Sequence, residues 1–588
     1  MDIELPLTEL SDGGLPEADF DDFAAGFGTP GGIRALRSGQ IVRRSLMLRE
    51  VLARARSSRL DAAYEVLVAA EAEDRDTFTR TLAAPHFGAW ATTALRNGGE
   101  HVEGLLPIVA AAAIGAGLDF TLDVPVSARG VVLPGLGRAA SAEPRVAVFG
   151  KAGEFRVGDV PLPADPGSDG PGWTGLRRLR STVDGCTIQV SLDDLDPYRD
   201  THRLSAADRL DAGEAQRWQQ VLDDAWRILV RHHRRYADAI AAGLVTIVPL
   251  TAPEAGHSIN ATSMDAFGSV SLSPPKDGLG LAASVLHEFQ HAKLGALLNL
   301  RPLYHDEGVR ELYAPWRDDP RPLGGVLQGV YAFLGVTDFW RIQRHVLVGG
   351  KAQFADFEFA RWRERVWRTF LMLESSDRFN AAGRRFLAAM RATQEAWLQD
   401  TVPVEAVALA AEAAEDHQAG WRLRNRRPDP AQMRAIAEAW VAGSAVPPIT
   451  VETTVVPGDV RALARNHRLD LTVLRLSDPE RFEGTCAQPV EQLRASPEAA
   501  TTADIAYARG DFEAAVRDYT AQIASDAENR AAWVGLALAA RRGTSPDAAL
   551  WRDRPELPYA VHLAVRQVGG PGPDPVALAR WLSESQQD

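Results

Sequence analysis

Hydrophobic positions along the chain change their period several times, and each change predicts a change of element. Residues 1–40 are rich in Gly and Asp with little periodicity and predict an irregular arm. From 40 to 118 apolar residues recur at helical spacing: "IVRRSLMLREVLARA" sets Ile41, Leu46, Leu48 and Leu52 among arginines, and Ala-rich runs follow. From about 119 to 195 the period shortens. "FTLDVPV", "GVVLP", "RVAVFG" and "CTIQVSL" are β-type runs between Gly/Pro clusters, and "PADPGSDGPG" (163–172) is a loop. A long helical pattern resumes over 203–243, with Trp218, Leu222, Trp226 and Leu229 in step. "LVTIVPL" (244–250) and "AFGSVSLS" (266–273) predict strands, and a helix is predicted from near Gly280 to about Leu300. Residues 324–398 predict helix again, and "VPPITVETTVVP" (446–457) contains a β-type run.

The last ninety residues differ. "AYARGDFEAAVRDYTAQIASDAENRAAWVGLALAA" resembles a tetratricopeptide repeat at Tyr507, Gly510, Phe512, Ala515, Tyr519, Ala527 and Asn529, with Trp533 and Gly535 opening a second unit. Such helix–turn–helix units stack on neighbours, and one clear copy is too few to stand alone, so this segment is expected to pack as a helical cap or to offer a peptide groove. The fold class expected is α+β, predominantly helical, with a zincin-like H-E-x-x-H helix beside strands and a TPR-like helical C-terminal segment. The expected regions are a mainly helical one at 1–118, a small β-rich one at 119–200, a metal-binding catalytic core at 201–400, a helical one with a short β-type segment at 401–495, and the TPR-like tail at 496–588.

Composition narrows the class. The 588 residues carry a net charge of −14, with 46% hydrophobic and 24% charged residues. This balance is globular and argues against nucleic acid as a partner, which would need a basic face. The two cysteines, Cys186 and Cys486, lie far apart and form no C-x-x-C, which excludes a cysteine-built zinc or iron–sulfur site and fits a reducing compartment. The acidic start "MDIELPLTEL" lacks the features of a signal peptide, and the longest apolar run, "LLPIVAAAAIGAGL" (105–118), is too short for a bilayer. The expectation is a cytoplasmic protein without membrane contact.

The chemistry concentrates at "SVLHEFQHAKLGALLNL" (284–300), which contains His287-Glu288-Phe289-Gln290-His291. On a helix turning about 100° per residue, two histidines four apart share one face, and both imidazoles can reach one ion. Glu288 points about 100° away, beside a metal rather than on it. Lys293, about 200° from His291, is expected to point off the metal face. Downstream acids offer a third ligand: Asp306, Glu307, Glu311, Asp318, Asp319 and Asp338. "YAPWRDDPRPLGG" is a stiff loop in which Pro320 holds Asp319 extended. Asp319 is therefore the preferred third ligand, with Asp318 and Glu311 behind it. Two histidines and a carboxylate serve either a zinc peptidase, with Glu288 activating water, or the facial triad of a non-haem Fe(II) oxygenase. For the second, Arg317 and Arg321 flank the candidate acids and suit the distal carboxylate of a 2-oxo acid. A non-catalytic peptide escort with a structural metal is the third reading.

Five longer stretches resemble a bacterial family: "DDLDPYRD" (193–200), "AFGSVSLSPP" (266–275), "LHEFQHAKLGALLNLRPLY" (286–304), "YAPWRDDPRPLGGVLQGVYAFLGVTDFW" (313–340) and "RPELPYAVHLAVR" (554–566). The family is that of the H-E-x-x-H peptide-modification proteins, here in the free-standing form that lacks a radical-SAM domain. The resemblance implies a non-haem iron, 2-oxoglutarate-dependent β-hydroxylase acting with O2 on a ribosomally synthesised precursor peptide. It implies His287 and His291 as iron ligands, and a radical-SAM cyclophane synthase of the same pathway as a further partner. Glu288 need not activate water in this scheme and is expected to hold a ligand from behind. The carboxylate ligand is not fixed by the resemblance.

Overall fold

A computed structural model describes residues 14–584 except 56, 128, 201–203, 252–258, 306, 450–452, 457–465, 488–499 and 543–546. The chain is α+β and predominantly helical, as its periodicity predicts. It divides into two compact units: residues 1–303 with 379–393, and residues 304–378 with 394–588. Among the described residues no helix is long and apolar enough to cross a membrane.

In the first unit the predicted arm is helical from residue 17 on, with α1 (Glu17–Ala24) and α2 (Pro30–Arg54); residues 1–13 lie outside the described ones. The Pro30-Gly31-Gly32 run is a helix start. Thr29 accepts from the Gly32 amide at 2.9 Å, and Pro30 occupies the first turn, where its missing N–H costs nothing. Gly32 is required there, since a Cβ would come within 2.8 Å of the Asp19 carboxylate and 3.0 Å of the Phe23 ring. Helices α3 (Ser58–Glu73), α4 (Arg75–Ala83), α5 (Pro85–Asn97) and α6 (Leu105–Gly115) follow. The apolar 105–118 run is thus a buried core helix.

Among the described residues the β-type region gives nine strands. β1 (Phe120–Pro125), β2 (Val131–Leu133), β3 (Gly137–Ala139), β4 (Arg145–Lys151), β5 (Glu154–Val157), β6 (Val160–Pro161) and β7 (Trp173–Gly175) build two small antiparallel sheets, ordered β1-β4-β5-β6 and β2-β3-β7. β8 (Arg178–Val183) and β9 (Cys186–Leu192) belong elsewhere. They join β10 (Thr246–Pro249), β11 (Asn260–Ala261) and β12 (Ser269–Leu272) in a sheet ordered β11-β12-β10-β9-β8. Its centre is parallel: Ile247 pairs with Leu192 on one side and Val270 on the other. The helical pattern predicted for 203–243 starts later and breaks once, into α7 (Ala212–His232), opened by an Asp211–Glu214 capping box, and α8 (Arg234–Gly243). Trp218, Leu222, Trp226 and Leu229 form its buried face. The H-E-x-x-H helix is α9 (Gly278–Leu300), capped by Asp277 and packed against α2, α7, α8 and β12.

The second unit holds α10 (Leu323–Gln343), α11 (Gly350–Glu374) and α13 (Val404–Asn425); α12 (Ala381–Leu398) ends in it. Helix 324–398 is thereby interrupted twice, at 344–349 and 375–380. The run at 446–457 contributes only β14 (Thr454–Val455), paired with β13 (Arg426–Arg427), among the described residues. Helices α14 (Pro430–Val441), α15 (His467–Ser477) and α16 (Pro479–Cys486) precede the tail, which is helical throughout its described length: Thr502–Ala508, Phe512–Ser525, Arg530–Ala540, Ala548–Asp553, Glu556–Gln567 and Pro575–Glu584.

One buried ion cluster ties the tail to its own unit. Arg468 donates to both oxygens of Asp416 at 2.8 and 3.0 Å and to Asp504 at 3.0 Å, and Asp504 also accepts from the Tyr519 hydroxyl at 2.7 Å. Removing the cation would leave two buried carboxylates facing each other. Arg468→Met is expected to destabilise the second unit by about 3–5 kcal/mol. The check is denaturant unfolding followed by tail-specific protection from proteolysis; unfolding identical to the parent chain would show that the cluster holds nothing together.

Candidate functional site

Helix α9 is fixed about its own axis on three sides. On the first, the Thr262 hydroxyl lies 2.8 Å from Glu288 Oε2 and 3.0 Å from the Glu288 carbonyl. On the second, Phe289 packs on Gly243 at the end of α8, where a Cβ would come within 2.6 Å of the ring. On the third, Gln290 donates to the Gly26 carbonyl at 2.9 Å, and Lys293 donates to the carbonyls of Gly26 and Phe27. Lys293 therefore points off the histidine face, as its position in the turn predicts. All four side chains are buried.

The remaining face carries the histidines. Between Val285 and Leu297, His287 and His291 are the two positions that keep partial exposure; every other residue is buried. Their ring centroids are 4.9 Å apart with the planes at 80°. Burial, reinforced by the neighbouring His291, holds His287 well below the ordinary histidine range, which favours its neutral form. Glu288 lies beside the pair, its Oε1 4.0 Å from His287 Nε2. Burial pushes its carboxyl up to about 7, against the opposing effect of the Thr262 hydrogen bond. Thr262 was not among the sequence-derived candidates; it sits in a loop between two strands, and nothing in the local pattern marks it.

Two imidazoles one turn apart, on the partly exposed stripe of a locked helix, fit two nitrogen donors of a borderline metal such as Fe(II) or Zn(II). Among the described residues no group of three His, Cys, Asp or Glu side chains is arranged to hold a metal. The structure therefore brings together His287, His291 and Glu288. The other candidates, Glu311, Asp318, Asp319, Arg317 and Arg321, belong to the second unit; Asp306 lies outside the described residues.

Within the second unit Asp319 has three cationic partners. Arg310 donates to its Oδ2, Arg317 Nε to Oδ1 at 2.8 Å and Arg321 to Oδ2 at 3.3 Å. Burial pushes the Asp319 carboxyl up, but Arg317 and Arg321 outweigh it and hold it below the usual carboxylate range. The loop is stiff, as the sequence predicts: Leu312 and Arg321 form an antiparallel bridge, and Trp316 stacks on Phe333. Its stiffness serves an ion cluster in which Arg317 and Arg321 hold an aspartate of this chain. Arg321 Nε remains buried without a partner among the described residues. Asp318 is engaged by Arg424 at 3.1 Å, and Glu311 faces Arg378 at 3.5 Å.

A second polar centre in the first unit comes from "DDLDPYRD". Asp194 is held by Arg209 at 2.8 Å. Asp193 and Asp196 line a cavity of about 20 Å3, room for roughly one water, together with His86, Arg199 and Ser263, the residue after Thr262. Asp193 accepts from the amides of Leu195 and Asp196, and Asp196 Oδ1 from that of Tyr198. Asp196 Oδ2 has no partner among the described residues. Burial, then the neighbouring Asp193, pushes Asp196 up to about 7.

No protein-family model matches the chain, and no curated protein matches it significantly.

Because Asp196 is raised above its unfolded value of about 3.9, the folded chain binds the extra proton between roughly pH 4 and 7. Its contribution to stability is present below that window and is lost as pH rises through it. Asp196→Asn keeps the Oδ1 acceptor and removes the charge. It is expected to raise the melting temperature more at pH 8 than at pH 5; equal shifts at both pH values would show that Asp196 does not titrate there.

Proposed function

We propose that the chain is a non-haem Fe(II)- and 2-oxoglutarate-dependent enzyme that hydroxylates the β-carbon of a side chain in a ribosomally synthesised precursor peptide, in the cytoplasm and alongside a radical-SAM cyclophane synthase. The observation that carries the reading is the partly exposed His287–His291 stripe on a rotationally locked helix that is otherwise buried from Val285 to Leu297, set in the motifs that resemble the peptide-modification family. The tail's likeness to a tetratricopeptide repeat supports a peptide as substrate.

His287 and His291 would hold the iron. When bound, the iron supplies oxidation by O2 coupled to decarboxylation of 2-oxoglutarate: one C–H becomes C–OH, and 2-oxoglutarate becomes succinate and CO2. The chain's own residues hold and orient. Thr262 fixes the Glu288 carboxylate beside His287, and Phe289, Gln290 and Lys293 prevent the helix from turning the imidazoles away. Asp319 is the sequence-derived third ligand, but a carboxylate surrounded by three guanidiniums is a poor partner for a dication unless those cations are displaced. Arg317 and Arg321 would accept the distal carboxylate of 2-oxoglutarate only by sharing themselves with Asp319.

The alternative is a zinc peptidase, in which Glu288 must take a proton from water. The observation on its side is that Thr262 bonds only Oε2, leaving Oε1 towards His287, on a carboxyl raised to about 7, as a general base needs.

His287→Ala and His291→Ala are expected to abolish iron binding and turnover with the fold intact by circular dichroism. Peptide product should gain about 16 Da, with one succinate per turnover and dependence on O2. Glu288→Gln should cost far less than the roughly 10²–10⁴-fold loss of a general base. Cleavage of the precursor by zinc-loaded protein under argon would replace this proposal with the peptidase. Asp319→Ala separates the two roles of that acid: loss of iron at unchanged melting temperature identifies a ligand, and a lowered melting temperature with normal iron content identifies the ion cluster.

A further inference from the structure

The tail motif "RPELPY" (554–559) forms one wall of a cavity within the second unit. The cavity measures about 370 Å3 and is lined, among the described residues, by Arg422, Arg426, Arg554 and Glu556, with Pro428, Thr453 and Leu557 between them. That volume lies within the range of small-ligand sites, roughly 300–1,000 Å3. Three guanidiniums and one carboxylate leave an excess of positive charge, in a chain whose net charge is −14.

The charges are not equally committed. Arg422 forms a two-point fork with Glu556 at 2.8 and 2.5 Å, and Glu556 is buried. Arg426 donates one nitrogen to the Thr453 hydroxyl at 2.8 Å, and its buried Nε has no partner among the described residues. No carboxylate among the described residues is paired with Arg426 or Arg554. Two cations thus line a cavity beside a pair that is already complete. Burial and the adjacent Arg422 also act against the Arg426 cation, a cost that an incoming anion would relieve.

We propose that this cavity binds a carboxylate of an acidic peptide segment, received by Arg426 and Arg554. A guanidinium fork matches a carboxylate geometrically, as Arg422 and Glu556 already demonstrate in the same cavity. The fixed negative charge of Glu556 disfavours a dianionic phosphate more than a singly charged carboxylate. The volume far exceeds one carboxylate, and Pro428 and Leu557 offer apolar contact to the chain that bears it. Identifying this peptide with the precursor rests on the proposed function; the binding itself does not.

The test uses the full chain without iron or 2-oxoglutarate. The probe is a fluorescein-labelled hexapeptide containing Glu-Leu-Glu, read by anisotropy against its Gln-Leu-Gln counterpart, with free succinate and inorganic phosphate as competitors. Saturable binding of the acidic probe is expected, weakened about tenfold or more by Arg554→Gln and by Arg426→Gln. His287→Ala should bind the probe as the parent does, which separates this site from the histidine pair. Among the described residues the Arg554 side chain makes no hydrogen bond or ion pair, so Arg554→Gln should melt like the parent even if Arg426→Gln does not. Equal affinity of the Arg554→Gln chain and the parent overturns the proposal. So does failure of the parent to bind, or displacement of the probe by succinate or phosphate at the concentration of the peptide, which would identify a small-anion site.

Discussion

Everything the histidine site can do depends on the rotational setting of one helix. An H-E-x-x-H sequence guarantees that two imidazoles share a face; it does not say where that face looks. Here the setting comes from buried polar groups. Lys293 and Gln290 spend their hydrogen bonds on the carbonyls of Gly26 and Phe27, in the turn between α1 and α2. A buried ammonium is costly, and burial pushes Lys293 down to about 7. Rotating α9 would strip it of both carbonyls and leave a cation or amine unsatisfied in the core, which is a steeper penalty than losing apolar contact. Apolar packing adds a steric limit, since Phe289 fits against Gly243 where no Cβ could stand.

The same argument gives the N-terminal segment its purpose. Helix α1 and the start of α2 present the two carbonyls, and α1 is itself held by Arg385 of the returning segment, which pairs with Asp21 at 2.7 Å and with Glu17. The site is thus braced by residues more than 250 positions away in sequence, through backbone groups that carry no sequence signature.

That explains which parts were legible from the amino acids. The H-E-x-x-H helix, the two flanking strands, the α7 face and the helical tail are all local or periodic, and the sequence predicts them within a few residues. The irregular arm expected over 1–40 is helical from residue 17, because helix α2 is started by the Thr29 cap and Pro30, which Gly and Asp content and weak periodicity do not reveal. The destination of Lys293 was legible as a direction but not as a partner. Thr262 was not legible at all, because its role depends on a loop meeting Glu288 across 26 positions. Asp319 shows the opposite difficulty. The sequence correctly picks out a rigid acid among arginines, but the same arginines that make it conspicuous are the ones that occupy it.

Local charge in the second unit departs from what composition suggests. An overall charge of −14 predicts a chain that repels anions, and at the level of long-range steering it should. Short-range recognition obeys local geometry instead. In the second unit arginines outnumber the acids they face at Asp319 and again at the cavity beside Glu556. At Asp319 three guanidiniums converge on a single carboxylate, so the cluster is internally crowded and carries residual positive potential. At Glu556 the fork with Arg422 is complete, and the surplus lies on side chains that line open space. The first arrangement stiffens a loop; the second leaves charge to be met from outside. The difference lies in whether a buried acid is already within reach of every fork, and no count of arginines along the sequence can reveal it.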